Sequence, residues 1–420
     1  MTNERKQLKV LYDLGKAVVG LSSMEDVCQR IIAKTAALFN VGKASIMKFD
    51  VNDKVLKVIA SKGMPADIAS NARVMVGEGI SGKVFKSARP VLIKDIRTSG
   101  FETRRRYSGK SLMSAPVTCF PMHMGGEPVG VINVTDRKSG RSFSPEDLKL
   151  LAAIANQTAA YLHLCDLAEA ARQTECFRRE LELARAIQQK LLPSRPLKIP
   201  GFDIAGRCVT AEKVGGDYFD FLSGGVKPPS VVVADVAGHG IGAAMTMSAF
   251  RSAVRSGGVA SFFSPAIAAE RLNATLYSDL AVAEQFISMI FLQILPGDGD
   301  GHVIKYTTAG HHPPLIFKNG EFMNHSTRDA LLGVEEFAEY HEKRIDVKGG
   351  DIIILYTDGL IEAASPAREK FGIERVKDFV RHNVGHPSEW LVDGLCKEAQ
   401  TFAARRKIRD DITVVVIKAA

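Results

Sequence analysis

This chain has few cysteines, and they are scattered. Cys28, Cys119, Cys165, Cys176, Cys208 and Cys396 contain no C-x-x-C pair among 420 residues. That excludes a disulfide framework and a cysteine-built structural zinc site, and it points to free thiols in a reducing compartment. None of the six has an arginine five intervening residues downstream, so the cysteine-nucleophile phosphatase loop is excluded as well. No segment approaches the ~20 consecutive apolar residues of a membrane-spanning helix. The opening MTNERKQLKV lacks the apolar stretch of a secretion signal. The expectation is therefore a cytoplasmic protein with no membrane partner. Internal repeats and low-complexity tracts are also lacking, and so is a strong basic block. The net charge of +8 is dispersed, its densest run being Arg104, Arg105 and Arg106. That triplet reads as a solvated loop, and no nucleic-acid partner is expected.

What is present is ordinary globular composition, 46% hydrophobic and 24% charged, enough for each half of the chain to bury a core. At ~150 residues per domain the length suggests two or three domains. Residues 1–160 mix short strands with helices. Lys43–Phe49 and Val55–Ala60 read as strands joined by a polar turn, Pro128–Val134 as a central strand, and Glu4–Leu21 as an opening helix. From Ser144 the pattern changes. A capping serine, a proline at the first helical position and acids in the first turn start a helix that nothing stops before Pro193. Leu167, Ala170, Thr174, Phe177, Leu181, Ala184, Gln188 and Leu191 recur at spacings of three and four, an impure coiled-coil seam suited to a parallel dimer. Pro193, Pro196 and Pro200 then mark a boundary. Beyond it strong β runs (Ser230–Asp235, Phe286–Leu295, Asp351–Tyr356, Ile412–Ile417) alternate with helical stretches such as Gly242–Arg255 and Pro387–Arg405.

The chemistry gathers where those β runs begin and end. Asp217 sits in VGGDY, Asp235 enters VAGHG, Asp358 precedes Gly359, and Asp410 and Asp411 precede the final run. A buried carboxylate is costly unless paired or metal-bound. Only Lys213 and Arg409 lie nearby in sequence to balance these acids. Hard oxygen donors favour Mg2+ or Mn2+ over zinc. Two such ions ~3.5–4 Å apart can activate a water and hold a phosphoryl group for in-line attack.

Five ordered stretches, VGGDYFD at 214–220, ADVAGHGIGAAM at 234–245, TAGHHPP at 308–314, LYTDGLIEA at 355–363 and RDDITVVVI at 409–417, resemble the metal-dependent protein phosphatase (PPM, or PP2C-type) fold in its bacterial SpoIIE and RsbU branch. The resemblance implies an α/β sandwich and hydrolysis of phosphoserine or phosphothreonine without a phosphoenzyme, by a hydroxide held between two cations, Mn2+ or Mg2+. It implies that Asp235 bridges both metals, that Asp358 and Asp410 complete one site, and that Asp217 and the carbonyl of Val236 serve the other. Asp235 and Asp358 would carry catalysis through the metal-held water. Asp411 is the less certain of its pair and is expected to orient the loop. His239 and His311 each lie in a glycine-rich turn and are read first as fixing it by a hydrogen bond. His311 is the better candidate for a substrate or leaving-group contact. The family's eukaryotic members hold phosphate with an arginine just before the first aspartate. This chain has Ala211-Glu212-Lys213 there, which leaves Lys213 as a weak substitute.

Residues 22–160 are similar to a GAF sensory domain through GEGISGKVFKSARPVLIKDI at 77–96, SAPV at 114–117, VGVINV at 129–134 and FSPEDLKLLAAIANQTAAY at 143–161. Its ligand is not named by the match. Cys119 and His123 are read as core and loop residues rather than haem or iron ligands. The same 77–84 segment imitates a nucleotide loop, but a helix ending near Ser87 before Pro90 is too short for a βαβ crossover. GGDYF is similar to the GG[DE]EF turn of diguanylate cyclases, a rival reading that leaves the later aspartates unexplained. A second rival keeps the fold as a catalytically silent scaffold.

The expected organisation is α+β: a GAF domain over 1–160 (an antiparallel sheet with flanking helices), a helical linker over 161–196, and a phosphatase sandwich over 197–420. The resemblance further implies a phosphorylated partner, a STAS-type anti-sigma-factor antagonist, and a homodimer through the linker helix and GAF domain.

Overall fold

A computed structural model describes residues 23–96, 99, 111–118, 128–223, 228–256, 264–297, 301–323, 329–404 and 409–420. Glu4–Leu21, Arg104–Arg106, Cys119 and His123 lie outside the described residues. The chain divides into two compact units, Met1–Glu175 and Cys176–Ala420.

In the first unit Ser23 caps α1 (Met24–Leu38), its hydroxyl accepting from Asp26 N, and Val27, Cys28, Ile31 and Ile32 form the buried stripe. There follow β1 (Val41–Asp50), β2 (Val55–Lys62), α2 (Ala66–Asn71), β3 (Arg73–Met75), α3 (Gly79–Ser87), β4 (Val91–Ile93), β5 (Leu112–Thr118) and β6 (Pro128–Arg137). They build one antiparallel sheet in the order β3-β2-β1-β6-β5-β4. Strand alternation divides its side chains between two faces. Ile46, Met113 and Ile132 pack with α1 and with Leu151 and Ile154 of the following helix. Met47, Leu112 and Val131 pack with Ile80 and Val84 of α3 on the other. The nucleotide-loop imitation is thus the short α3, which stops at Ser87 as expected.

That following helix, α4 (Pro145–Leu191), runs 47 residues without a break. Its start is a reciprocal cap: Asp147 N donates to Ser144 Oγ (3.2 Å) and Ser144 N donates to Asp147 Oδ2 (2.8 Å). Of the predicted seam, Leu167, Ala170, Thr174 and Phe177 are exposed, whereas Gln188 is buried against its own chain.

The second unit continues through β7 (Phe202–Val209), β8 (Tyr218–Leu222), β9 (Ser230–Val236), α5 (Gly240–Arg255), α6 (Pro265–Ala283), β10 (Ile287–Pro296), β11 (His302–Ala309), β12 (Leu315–Lys318), β13 (Glu321–Met323), β14 (Lys343–Val347), β15 (Ile352–Tyr356), α7 (Asp358–Glu362), α8 (Gly372–Asn383), α9 (Ser388–Phe402) and β16 (Ile412–Ala419). Two five-stranded antiparallel sheets result, ordered β14-β11-β10-β9-β8 and β13-β12-β15-β16-β7. Their facing sides share one core: Val231, Val233, Ile290 and Ile304 from the first, Ile353, Leu355, Val415 and Ile417 from the second. Val232 and Ala234 point outward beneath α5 and α6. Ile352, Ile354, Val414 and Val416 point outward beneath α8 and α9. The strands of this sandwich are buried on both faces, which explains why they read as apolar runs rather than alternations. The predicted α/β sandwich and GAF-type sheet are both observed.

Candidate metal centre

Antiparallel pairing brings the acids together. Tyr218 pairs with Ala234, which sets Asp217 beside Asp235 at one end of β8 and β9. Tyr356 pairs with Val414, which brings Asp358 to the end of β15 and β16 where Asp410 and Asp411 precede Ile412. The two sheet ends are tied to each other. Thr357 Oγ1 (2.8 Å) and Thr413 Oγ1 (2.6 Å) both donate to Asp217 Oδ2. Asp217 is 3% exposed, and Asp235 and Asp358 are half-buried.

Burial and mutual repulsion dominate the electrostatics. Burial, then the charges of Asp358, Asp410 and Asp411, push Asp235 up to about 7. Burial, then the charges of Asp235 and Asp411, raise Asp217 well above the ordinary carboxylate range. Asp358 is raised by burial and by Asp410, and its Oδ1 is buried without a hydrogen-bond partner. Among the described residues no three His, Cys, Asp or Glu side chains are already placed to hold a metal ion together. The arrangement is instead an open cluster of hard oxygens short of positive charge. That chemistry fits a divalent cation, which would relieve the mutual repulsion of the acids and take up the orphaned oxygen.

The candidates divide in their placement. Asp217, Asp235 and Val236 lie at neighbouring ends of β8 and β9, and Asp358 opens α7 directly after β15. Asp410 is exposed, contrary to the expectation that each acid at a strand border is buried, and its Oδ1 accepts from Asp411 N (2.9 Å). Asp411 is the buried member, and it orients the loop. Its Oδ1 accepts from Ala211 N (2.7 Å) and its Oδ2 from Asp217 N (3.4 Å). Glycine is required beside it. A Cβ on Gly215 would lie 1.9 Å from Asp411 Oδ2, and one on Gly359 would lie 2.0 Å from the carbonyl of Asp411.

His311 is 6% exposed. Its Nδ1 lies 2.7 Å from Ser288 Oγ and its Nε2 lies 3.0 Å from the carbonyl oxygen of Tyr356. That carbonyl can only accept, so Nε2 carries the proton and Nδ1 accepts from Ser288. Both nitrogens are engaged, and burial lowers the imidazole to about 3. Of the two readings of His311, this arrangement fits the turn-fixing one and leaves no free nitrogen for substrate or leaving group. Ser288, on β10, pairs with Asp235 in the ladder, so His311 ties the neighbour of the Asp235 strand to β15, which leads to Asp358. The same expectation is not met by His239. It is exposed, caps α5 with no side-chain bond, and lies 3.8 Å from Glu212. Gln285 fixes that turn instead, donating to the Ala237 carbonyl (3.3 Å) and accepting from Thr246 Oγ1 (2.5 Å). Lys213 faces Glu182 at 3.3 Å. Thr357 and Thr413 lie within the stretches 355–363 and 409–417 but are not singled out there, and Gln285 lies outside every quoted stretch.

Comparison with known proteins agrees with this architecture. Residues 229–420 match the family described as Stage II sporulation protein E (SpoIIE), and residues 22–163 match the GAF domain family. The chain is 27% identical over 247 residues to the phosphoserine phosphatase RsbU of Bacillus subtilis, covering 57% of this chain and 70% of that protein. It is 25% identical over 248 residues to the phosphoserine phosphatase RsbP of the same organism, covering 57% and 58% respectively. The SiaA-PP2C domain of Pseudomonas aeruginosa superposes with a TM-score of 0.52 at 20% identity, over 60% of this chain and all of that domain, a likeness of fold. With residues 229–420 matching the SpoIIE family and residues 22–163 the GAF domain family, the chain is similar to GAF-containing phosphatases of the SpoIIE and RsbU type.

Proposed function

We propose that the second unit releases phosphate from phosphoserine or phosphothreonine on a partner protein, with two divalent cations, Mn2+ or Mg2+, as cofactors. The observation that carries this reading is the acid cluster itself. Asp217 and Asp235 lie side by side, both raised by burial and by their acidic neighbours, and the buried Asp358 Oδ1 has no hydrogen-bond partner. Two such cations supply activation of water and neutralisation of phosphoryl charge. Asp235 would serve both ions, Asp358 and Asp410 one, Asp217 and the Val236 carbonyl the other. Thr357 and Thr413 hold Asp217 in place, Asp411 holds the backbone around it, and His311 ties β10, the neighbour of the Asp235 strand, to β15.

The phosphoserine phosphatase relatives favour a small phosphorylated regulatory protein as substrate, and a STAS-type antagonist is our specific proposal. We assign residues 1–160 as sensor, 161–196 as linker and 197–420 as catalytic domain, and assign the exposed Leu167–Phe177 seam to homodimer formation. A signal at the GAF domain would act through α4. The free thiols go with a reducing, cytoplasmic setting, and no described helix is long and apolar enough to cross a membrane.

The test is phosphate release from a phosphoserine protein by the full chain with Mn2+, compared with Asp235→Ala and Asp358→Ala. Activity that chelation and both substitutions abolish supports the reading. A folded chain that binds Mn2+ yet shows no activity under any condition would return it to the scaffold alternative.

A further inference from the structure

The segment 329–342, ahead of β14, is held firmly and yet displays apolar side chains to solvent. It is fastened to the segments that flank the acid cluster. Gly310 N, next to His311, donates to the Asp329 carbonyl (3.0 Å). Ile287 and Leu332 exchange backbone hydrogen bonds (3.1 and 3.0 Å), and the Phe286 carbonyl accepts from Ala237 N (2.9 Å), two residues after Asp235. Asn273 of α6, 1% exposed, spends its whole amide on the same loop. Its Nδ2 donates to the carbonyls of Glu335 (2.7 Å) and Glu336 (3.1 Å), and its Oδ1 accepts from Gly333 N (2.8 Å). Leu332, Ala338 and Tyr340 are buried in the core beneath α5 and α6. Between these anchors Val334 is 51% exposed and Phe337 88% exposed.

A phenylalanine so placed buries little area within the fold and stabilises it little. Seated in another surface it would be a strong anchor, since aromatic side chains dominate binding energy. A loop already held by Asn273 also has little freedom left to lose on binding. The charge around Phe337 is of one sign. Asp329 and Glu342 are engaged with His341 and Lys305, whereas Glu335, Glu336 and Glu339 face solvent. Residues 333–340 and the adjoining stretch 278–286 carry five acids (Asp279, Glu284, Glu335, Glu336, Glu339) and no lysine or arginine, in a chain of net charge +8. Burial, then the charges of Asp329, Glu335 and Glu270, raise the Tyr340 phenol, so the same negative field is felt inside the loop. Charge complementarity selects a basic partner surface.

We propose that Val334 and Phe337, ringed by Glu335, Glu336 and Glu339, form a docking surface for the phosphoprotein substrate, taking an amphipathic segment with leucine-like side chains beside lysine or arginine. The proposal rests on the reading of the acid cluster as a phosphatase centre. It supplies selection among phosphoproteins through contacts away from the reacting group. Such contacts are made equally before and during the phosphoryl step, so they lower KM and leave kcat alone.

The test uses the full chain with Mn2+ and two synthetic phosphoserine peptides. One is joined by a glycine–serine linker to an amphipathic leucine/lysine stretch, the other to the same stretch with glutamate in place of lysine. The small substrate p-nitrophenyl phosphate, which carries no docking segment, reports the centre alone. Wild type should favour the lysine peptide about 10-fold in kcat/KM, through KM. Phe337→Ala should remove most of that preference. The triple variant Glu335→Gln/Glu336→Gln/Glu339→Gln should remove about 3-fold of it, an effect that fades at high salt. Both losses should be confined to the lysine peptide, and fluorescence anisotropy of the leucine/lysine stretch alone should rank the three proteins in the same order. Absence of a preference in wild type, or a preference that survives Phe337→Ala, overturns the inference while turnover itself keeps the phosphatase reading standing. A parallel loss on p-nitrophenyl phosphate traces the effect to the metal centre and overturns it too. So does a dimer, seen by sedimentation equilibrium, that Phe337→Ala dissociates, since the occupant is then a second copy. Wild type that turns over none of the three substrates sinks the phosphatase reading and the inference with it.

Discussion

The two units bury polar groups in opposite ways. In the GAF unit the polar atoms inside the sheet are neutral and satisfy one another. Ser114 Oγ (2.7 Å) and Ser81 Oγ (3.3 Å) donate to Asn133 Oδ1, and Asn133 Nδ2 donates to Ser45 Oγ (3.4 Å). In the phosphatase unit the corresponding place is filled by acids whose charges oppose one another. The first cluster adds definition to a core at little cost. The second stores unfavourable electrostatics in the fold until something positive relieves it. Stability and chemistry coincide in one unit and compete in the other.

That contrast is broken most sharply at Asp235. Asp235→Asn should lower Mn2+-dependent phosphate release at least about 100-fold while raising the melting temperature of the chelator-treated protein by several degrees. A variant that loses both activity and metal-free stability would show that the acids support the fold. The next largest effect is on pH. Asp235 is raised from the ordinary carboxylate range to about 7, so the folded state binds its proton more tightly than the unfolded chain. The stability this supplies is present at acid pH and is lost as pH rises from ~4 through about 7. Denaturant unfolding in chelator should therefore show falling stability over that window. Saturating Mn2+ should flatten or reverse the slope, and an unchanged slope would contradict the metal reading.

His311 sharpens the same line with a smaller effect. His311→Phe should cost about 2–3 kcal/mol by orphaning Ser288 and the Tyr356 carbonyl. In His311→Gln the pH–rate profile between pH 6 and 9 should keep its wild-type shape, because an imidazole lowered to about 3 is neutral throughout. Loss of a limb would instead assign it a proton transfer. A depressed imidazole contributes stability above its ordinary range that is lost as pH falls toward about 3. On the GAF side, Asn133→Ala should cost about 1–3 kcal/mol, read as a lower first thermal transition, with basal phosphate release unchanged. The smallest effect is expected at Arg172→Ala, which removes an exposed pair with Glu169 on α4 and should move stability by under ~0.5 kcal/mol.

The sandwich and the position of its acids were legible because strands buried on both faces must be apolar, which makes an aspartate at their border conspicuous. The capped start of α4 was equally plain from Ser144-Pro145. Other parts were hidden for physical reasons. α1 and α6 carry ordinary amphipathic stripes that no motif flags. Asp410 and Asp411 are adjacent, and only the loop's path decides which is buried. Gln188 fell in a heptad position, so its sequence pattern pointed to a partner helix while its amide had a nearer partner in Gly215. Thr357, Thr413 and Gln285 act through hydroxyl and amide contacts between segments far apart in the chain, and such contacts leave no period in a sequence.

The 1.9 Å approach that any Cβ on Gly215 would make to Asp411 Oδ2 also bears on how this chain can vary over generations. A methyl group at 215 cannot be absorbed by Asp411, whose oxygens already hold Ala211 N and Asp217 N. A smaller residue at 411 would leave those amides without an acceptor. Neither position therefore has a neutral first step, and a change at 215 demands a compensating change at 411, 196 residues away in the numbering.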